Sequence, residues 1–334
     1  MHMSFLRFLK QHLSNSRFRV SLAQVLILSV TSLCHHQDLK ANGPSNQSTV
    51  SCCQSDVWLV NTRCLTPPRC RCETFSKLPL YRYENCRLNR ASIDDFVGTL
   101  TPDTIVCVFV DGNRISAADA LERGERMRRR IGCCQERVRF VIWSWPTEKI
   151  AGPMRDIRTK ICRSDGETFF LASWLSQLPT EQRISLVGYS LGARVVTGSL
   201  HLLGGGSYYG NRLSETQERS VYPRAALLGS ALPLGYITPR GAHGLALSNA
   251  DRVLSISNSG DQALKFFKFV SSSKNAIALG YRAISPRSLG GLAPLLEQRD
   301  VNRTAGRSHD LNDYTMGALN NIRRYALWQP VGTS

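Results

Sequence analysis

The chain has 334 residues, 42% of them hydrophobic and 20% charged, a composition that excludes collagen-like, coiled-coil and low-complexity proteins and allows one large domain with a buried core. Lys and Arg outnumber Asp and Glu by 42 to 25, a formal charge of +17 that suits nucleic acid, anionic lipid or an acidic substrate. The densest basic run, Arg123, Arg126 and Arg128 to Arg130, has helical spacing and lies in no nucleic-acid-binding motif. A solvated helix face is expected there, nucleic acid is not an expected partner, and an anionic membrane surface stays open.

Along the chain, residues 1–55 read as a tail and linker. Arg7, Lys10, Arg17 and Arg19 precede the mostly apolar Val20 to Leu33, the charge-then-apolar order of a secretory signal. Ser21, Gln24 and Ser29 dilute that run, no small-x-small cleavage site follows, and it is shorter than the roughly 20 residues a membrane-spanning helix needs. Two locations fit: cytoplasmic, or exported or membrane-associated through residues 1–34. His35 onward is rich in Gly, Pro, Ser, Asn and Gln without apolar periodicity, as expected of a linker.

Residues 56–100 read as a Cys-rich region leading into the core. All 11 cysteines precede residue 163, and Cys52, Cys53, Cys64, Cys70, Cys72 and Cys86 crowd ahead of the core. Their spacing gives neither a zinc knuckle nor a disulfide frame, and both a disulfide-stapled extension and a set of reduced thiols fit. Val57 to Val60 is a short strand candidate, whereas Cys64 to Cys86 reads as irregular and poor in strands.

From Thr104 the pattern is that of an α/β domain over residues 101–330, with a mainly parallel sheet flanked by helices. Strands are predicted at Ile105 to Val110, Val138 to Trp143, Ile184 to Val187, Ala225 to Leu228 and Val253 to Ile256. Ala117, Ala120, Leu121, Gly124, Met127 and Ile131 recur at helical spacing, with Gly132 placed to end that helix. Longer helices are predicted over about Asp156 to Leu178 and directly after Ser190. Residues 204–220 and 233–249 lack periodicity and read as loops that border or cover a pocket.

The segment Ile184 to Val196 joins an apolar strand to a helix through Gly188-Tyr189-Ser190-Leu191-Gly192. Gly-x-Ser-x-Gly in that context is the sharp turn that presents a nucleophilic serine in α/β-hydrolases, with glycines where side chains would clash with the neighbouring strand and helix. The backbone N–H of Leu191, at the helix start, is placed to stabilise an oxyanion. A serine hydroxyl needs a base, and of seven histidines four lie in the N-terminal tail. His201 sits on the helix after the turn, which suits a surface or satisfied buried role. The order Ser, acid, His along the chain favours His309 over His243, which precedes the last predicted strand. Asp261, just beyond that strand, is the candidate acid; its bland alternative is a helix N-cap before Gln262 to Lys265, and Asp251 and Asp310 are rivals.

Val108-Phe109-Val110-Asp111-Gly112-Asn113, Ala118 to Arg123, Trp143-Ser144-Trp145-Pro146, the Ser190 turn, Gly260-Asp261-Gln262-Ala263-Leu264 and Ser308-His309 together resemble the bacterial α/β-hydrolase family formerly called DUF900, over about residues 100 to 320. The resemblance implies an esterase-like or lipase-like serine hydrolase of undefined natural substrate. Where that family's strand ends in His-Gly, this chain has Asp111-Gly112. The loop's role is to present a backbone N–H, so Gly112 or Asn113 is expected to complete an oxyanion hole with Leu191. An ionised, inward-facing Asp111 would oppose the anion and lower activity or alter the substrate preference. The reading is thus ester hydrolysis of a small ester-type substrate through Ser190, Asp261 and His309, with no metal or organic cofactor. The alternative is a weakly active or inactive hydrolase-fold binding or scaffold protein.

Overall fold

The computed structural model describes residues 56–66, 78–132, 137–271, 273 and 276–331. The secretory-signal reading of residues 1–34, the linker and residues 67–77 of the Cys-rich region lie outside them. Among the described residues nine strands form one sheet: β1 (Asp56–Asn61), β2 (Leu80–Glu84), β3 (Arg87–Ala91), β4 (Ile105–Val110), β5 (Val138–Ser144), β6 (Arg183–Tyr189), β7 (Arg224–Leu228), β8 (Arg252–Ser257) and β9 (Leu296–Asp300). Their order is β3-β2-β1-β5-β4-β6-β7-β8-β9, antiparallel only where β2 pairs with β1 and β3.

A parallel sheet has helices on both faces, so its strands are apolar on both sides. All of β4 is buried, with Val106, Val108 and Val110 entering one core and Ile105, Cys107 and Phe109 the other. The helices are α1 (Ile93–Val97), α2 (Ala117–Ile131), α3 (Pro153–Leu175), α4 (Leu191–Leu203), α5 (Gln262–Lys265), α6 (Pro286–Leu289), α7 (Asn302–Ala305) and α8 (Leu311–Ala326). α3 and α4 cover the first face through residues such as Phe170, Leu171, Val195 and Leu200. α2 and α8 cover the second through Met127, Ile131, Tyr314 and Ile322.

Local signals explain the helix ends. α2 starts on a capping box between Ser116 and Asp119 and stops at Gly132, whose φ of 84° is the left-handed conformation glycine adopts without strain. Its arginines do not form one solvated face. Arg126 pairs with Glu122, while Arg128 is buried and bonded to Glu125 at 3.1 Å. α3 begins at Pro153, earlier than predicted, because proline's fixed φ suits the first helical position rather than breaking the helix.

Two regions correct the sequence reading. Part of the stretch expected to be irregular is the hairpin β2–β3, closed by Asn85 and Cys86 at φ 50° and 60°. Two positive φ values make the turn that matches strand twist, and a non-glycine second residue hid it. β9 was missed because Leu-Glu-Gln-Arg-Asp has one buried residue and carries the polar surface of an edge strand. Residues 234–237 in the second predicted loop form a short 3-10 helix. Among the described residues, no helix is long and apolar enough to cross a membrane.

Glu167 of α3 points into the core, where Oε2 accepts hydrogen bonds from Thr62 Oγ1 (2.8 Å) and Trp143 Nε1 (3.1 Å). Burial pushes its carboxyl up to about 8 from the ordinary 4.5. The folded group therefore keeps its proton while the unfolded one releases it, so the unfolded state binds fewer protons between about pH 4.5 and 8. Stability is lost as pH rises through that window. Glu167→Gln is expected to abolish this component, so that the variant's Tm gains on the wild type between pH 5 and pH 8.5; parallel Tm curves would show that Glu167 does not titrate there.

The chain order reverses around β4: β5 lies on one side of it and β6 on the other. In a doubly wound sheet the loops leaving the carboxyl ends of such neighbouring strands splay apart and leave a crevice. This is the α/β-hydrolase fold, and the loops after β4 and β6 meet at that point.

Candidate active site

Ser190 occupies the turn from β6 into α4 at φ 53°, ψ −115°, a backbone conformation costly for any residue with a side chain. Close packing holds it there. Ser190 N–H donates to the Leu228 carbonyl at 2.9 Å, and its own carbonyl accepts from Ala231 at 3.0 Å. A Cβ on Gly192 would stand 2.0 Å from the Val110 carbonyl oxygen, and one on Gly188 would stand 2.7 Å from Ala193 Cα. Only glycines admit this approach of helix to strand. Leu191 begins α4, so its N–H has no carbonyl one turn back within the helix.

The structure brings the two other sequence-chosen residues to Ser190. Ser190 Oγ lies 3.0 Å from His309 Nε2, across 119 residues of chain, and His309 Nδ1 lies 2.5 Å from Asp261 Oδ2, across 48. Asp261 is wholly buried, whereas the His309 side chain is 23% exposed. Asp261 uses its two oxygens differently: Oδ2 faces the histidine, and Oδ1 accepts the Leu264 N–H at 2.9 Å as the cap of α5. The rivals are engaged elsewhere. Asp251 pairs with Arg224 at 2.7 Å, and Asp310 caps α8 through Asn312 N–H.

Several contacts were not foreseen. Tyr314 donates its hydroxyl to Asp261 Oδ2 at 2.7 Å. Tyr189 stacks on the His309 ring at 5.4 Å and donates its hydroxyl to the His309 carbonyl. Buried Asn258 ties the two loops together, donating to the Ser308 carbonyl at 3.0 Å and accepting the Gly260 N–H at 2.9 Å. The aromatic at the second position of the Gly-x-Ser-x-Gly motif was the one available signal; the others depend on tertiary contact.

The loop after β4 shows where Asp111 points. Its carboxylate is turned to Arg123 of α2 in a two-point ion pair, at 2.6 and 3.1 Å, and its Oδ1 also accepts the Gly112 N–H at 2.7 Å. Trp145 Nε1 holds the Asp111 carbonyl at 3.0 Å. The Gly112 N–H is therefore engaged, and Gly112 serves the site by its size: a Cβ there would stand 3.0 Å from Ser190 Cβ. Burial strengthens an ion pair only while both partners remain. Arg123→Met is expected to cost up to about 3 kcal/mol by leaving Asp111 buried and uncompensated. Chemical denaturation would measure it, and an unchanged midpoint would show that the pair contributes nothing.

The structure does not bring His243 or His201 to Ser190. His243 is fully buried against α4, with Nδ1 2.8 Å from Thr197 Oγ1, and burial holds its pKa well below the ordinary value. His201 is satisfied on both nitrogens, by the Ser207 carbonyl and the Leu245 N–H, each at 3.2 Å. Of the predicted pocket loops, the first contributes Gly204 and Thr216 to Arg219 to a cleft of about 240 Å³, completed by Leu203, Tyr222, Pro223 and Asn249. It lies at the far end of α4, about 20 Å from Ser190 for a 13-residue helix. Among the described residues no three His, Cys, Asp or Glu side chains gather as a metal site.

No family model matches the chain, and no curated protein does. Solved structures similar to it include a putative cell surface hydrolase from Lactobacillus plantarum (12% identity, 70% of this chain and 95% of that one, TM-score 0.35). A lipase-esterase related protein from Clostridium acetobutylicum is 11% identical over 67% of this chain and 96% of that one, with a TM-score of 0.33. Esterase B from Lactobacillus rhamnosis is 11% identical over 76% and 84%, with a TM-score of 0.34. The fold assignment itself rests on strand order and on the turn at Ser190.

Proposed function

We propose that the protein is a serine hydrolase, a carboxylesterase or lipase-like enzyme acting through an acyl-enzyme. The observation that carries this reading is the continuous hydrogen-bonded path from Ser190 through His309 to a fully buried carboxylate, Asp261, assembled from three separate loops. In this reading the turn at Ser190 is a nucleophile elbow. His309 Nε2 takes the hydroxyl proton as Ser190 attacks the ester carbonyl, and Asp261 holds the ring with its proton on Nδ1 and stabilises the imidazolium that forms. Collapse of the tetrahedral intermediate expels the alcohol, protonated by His309; water then enters by the same route and releases the acid.

The oxyanion is held by the Leu191 N–H and by the Asn113 N–H, since that of Gly112 is committed to Asp111. The Arg123 pairing supports this reading, because it offsets the negative charge of Asp111 beside the loop. Membership of the family formerly called DUF900 belongs to the same proposal, and it rests on Trp143 to Pro146, the elbow, and the segments around Asp261 and His309.

A fluorophosphonate probe tests it directly. Mass spectrometry of the digested adduct is expected to place the phosphonyl group on Ser190. Labelling elsewhere, or none, would favour the binding or scaffold reading of the fold.

A further inference from the structure

We propose that Arg114 forms an anion-recognition subsite at the rim of the Ser190 site, so that the preferred esters carry a carboxylate or phosphate near the reacting carbonyl. This rests on the hydrolytic reading and adds a substrate class to it. Arg114 follows Gly112 by two residues, and Gly112 packs against Ser190 so closely that a Cβ there would come within 3.0 Å of the serine's own. Two peptide units span at most about 7.6 Å, so the Arg114 backbone borders the place where an ester carbonyl would lie.

Arg114 adopts φ 63°, a left-handed conformation that a non-glycine residue keeps only where contacts impose it. Its N–H donates to Asn113 Oδ1 at 2.9 Å, and its guanidinium is held by Asp156, whose Oδ2 accepts from Arg114 Nε at 2.9 Å. Asp156 is fully buried; its Oδ1 accepts the Ile150 N–H at 3.1 Å and faces Lys160 Nζ at 3.3 Å. One carboxylate thus serves two cations. Lys160 is fully buried as well, and the surplus positive charge reaches solvent through Arg114, whose side chain is 36% exposed.

Only Nε of the guanidinium is used by Asp156, and among the described residues its two terminal nitrogens have no hydrogen-bond partner. The other carboxylates along this edge are committed: Glu148 to Arg63, Asp119 to the Ser116 cap, Asp111 to Arg123. A pinned, planar fork with open donors matches carboxylate and phosphate oxygens, and a buried aspartate behind it fixes its direction.

Two esters with the same acyl chain length test the subsite: mono-4-nitrophenyl adipate, which ends in a carboxylate, and 4-nitrophenyl hexanoate, which does not. Wild type is expected to favour the adipate by about tenfold or more in kcat/KM at low salt. That ratio should shrink as NaCl rises from about 0.02 to about 0.5 M, collapse in Arg114→Gln and survive in part in Arg114→Lys. Competition by inorganic phosphate that disappears in Arg114→Gln would extend the subsite to phosphate; competition by free adipate alone would confine it to carboxylates. A ratio near one in wild type, or one untouched by Arg114→Gln, overturns the proposal. Calorimetric binding of both esters to Ser190→Ala separates the two readings. Failure of wild type to turn over either ester defeats hydrolysis, whereas equal or absent binding of the two esters defeats the subsite.

Discussion

Ser190→Ala is expected to lower kcat for a simple 4-nitrophenyl ester by about 10⁶-fold, with little change in stability. On the proposed mechanism the roles are joint: without Oγ there is no nucleophile for His309 to activate and no acyl-enzyme to form, so losing the serine removes nearly the whole contribution of the three residues. A residual rate of about 10³-fold over water is expected from the Leu191 and Asn113 donors and from binding, which the substitution leaves in place. Stability should hold because alanine keeps the Cβ, and the strained φ of 53° is imposed by Leu228, Ala231 and the glycine contacts rather than by the hydroxyl. His309 Nε2 loses one partner, but its side chain is 23% exposed and water can take that place. Single-turnover kinetics beside a thermal melt would check both halves. Equal turnover by variant and wild type would remove Ser190 from the chemistry, and a collapsed Tm would mean that the lost activity reports unfolding.

How much of this was legible in the sequence depended on where the physics is local. β4 and α2 match their predicted bounds to the residue because the determinants are short-range: a run of six residues buried on both faces, and a helix framed by a capping box and a left-handed glycine. β9 and β2–β3 were not legible, since an edge strand hides its pairing behind polar side chains and the hairpin turn uses Asn85-Cys86 where glycine would have marked it. At the candidate site, chain order singled out Ser190, Asp261 and His309 because this fold constrains the sequence of loops leaving the sheet. The direction of the Asp111 side chain was beyond reach. It is set by Arg123, nearly two turns into α2, and a carboxylate beside a candidate oxyanion loop reads as harmful until its partner is located. Tyr314 and Asp156 were invisible for the same reason: each acts through a contact that exists only after the helices pack.

Asp261→Asn should be the second most damaging change, lowering kcat about 10⁴-fold with a smaller effect on KM. Three donors converge on this wholly buried carboxylate: the Leu264 N–H on Oδ1, and the Tyr314 hydroxyl and His309 Nδ1 on Oδ2. An asparagine must place its NH₂ at one of the two ends. At the Oδ1 position it would meet the fixed Leu264 N–H, donor against donor, with no water to relieve the conflict. At the Oδ2 position the Tyr314 hydroxyl can rotate to accept, and His309 can accept by moving its proton to Nε2. The second arrangement is favoured, and it reverses the imidazole: a protonated Nε2 faces Ser190 Oγ and has no lone pair for the serine's proton. The protein would remain folded, with a nucleophile and a base both present and the proton on the wrong nitrogen. Tyr314→Phe supplies the contrast, since it removes one donor and leaves the tautomer intact; a loss of about tenfold is expected, in line with a single hydrogen bond to a charged group. Comparable losses in the two variants would mean that Asp261 acts by general packing rather than by setting the proton on His309.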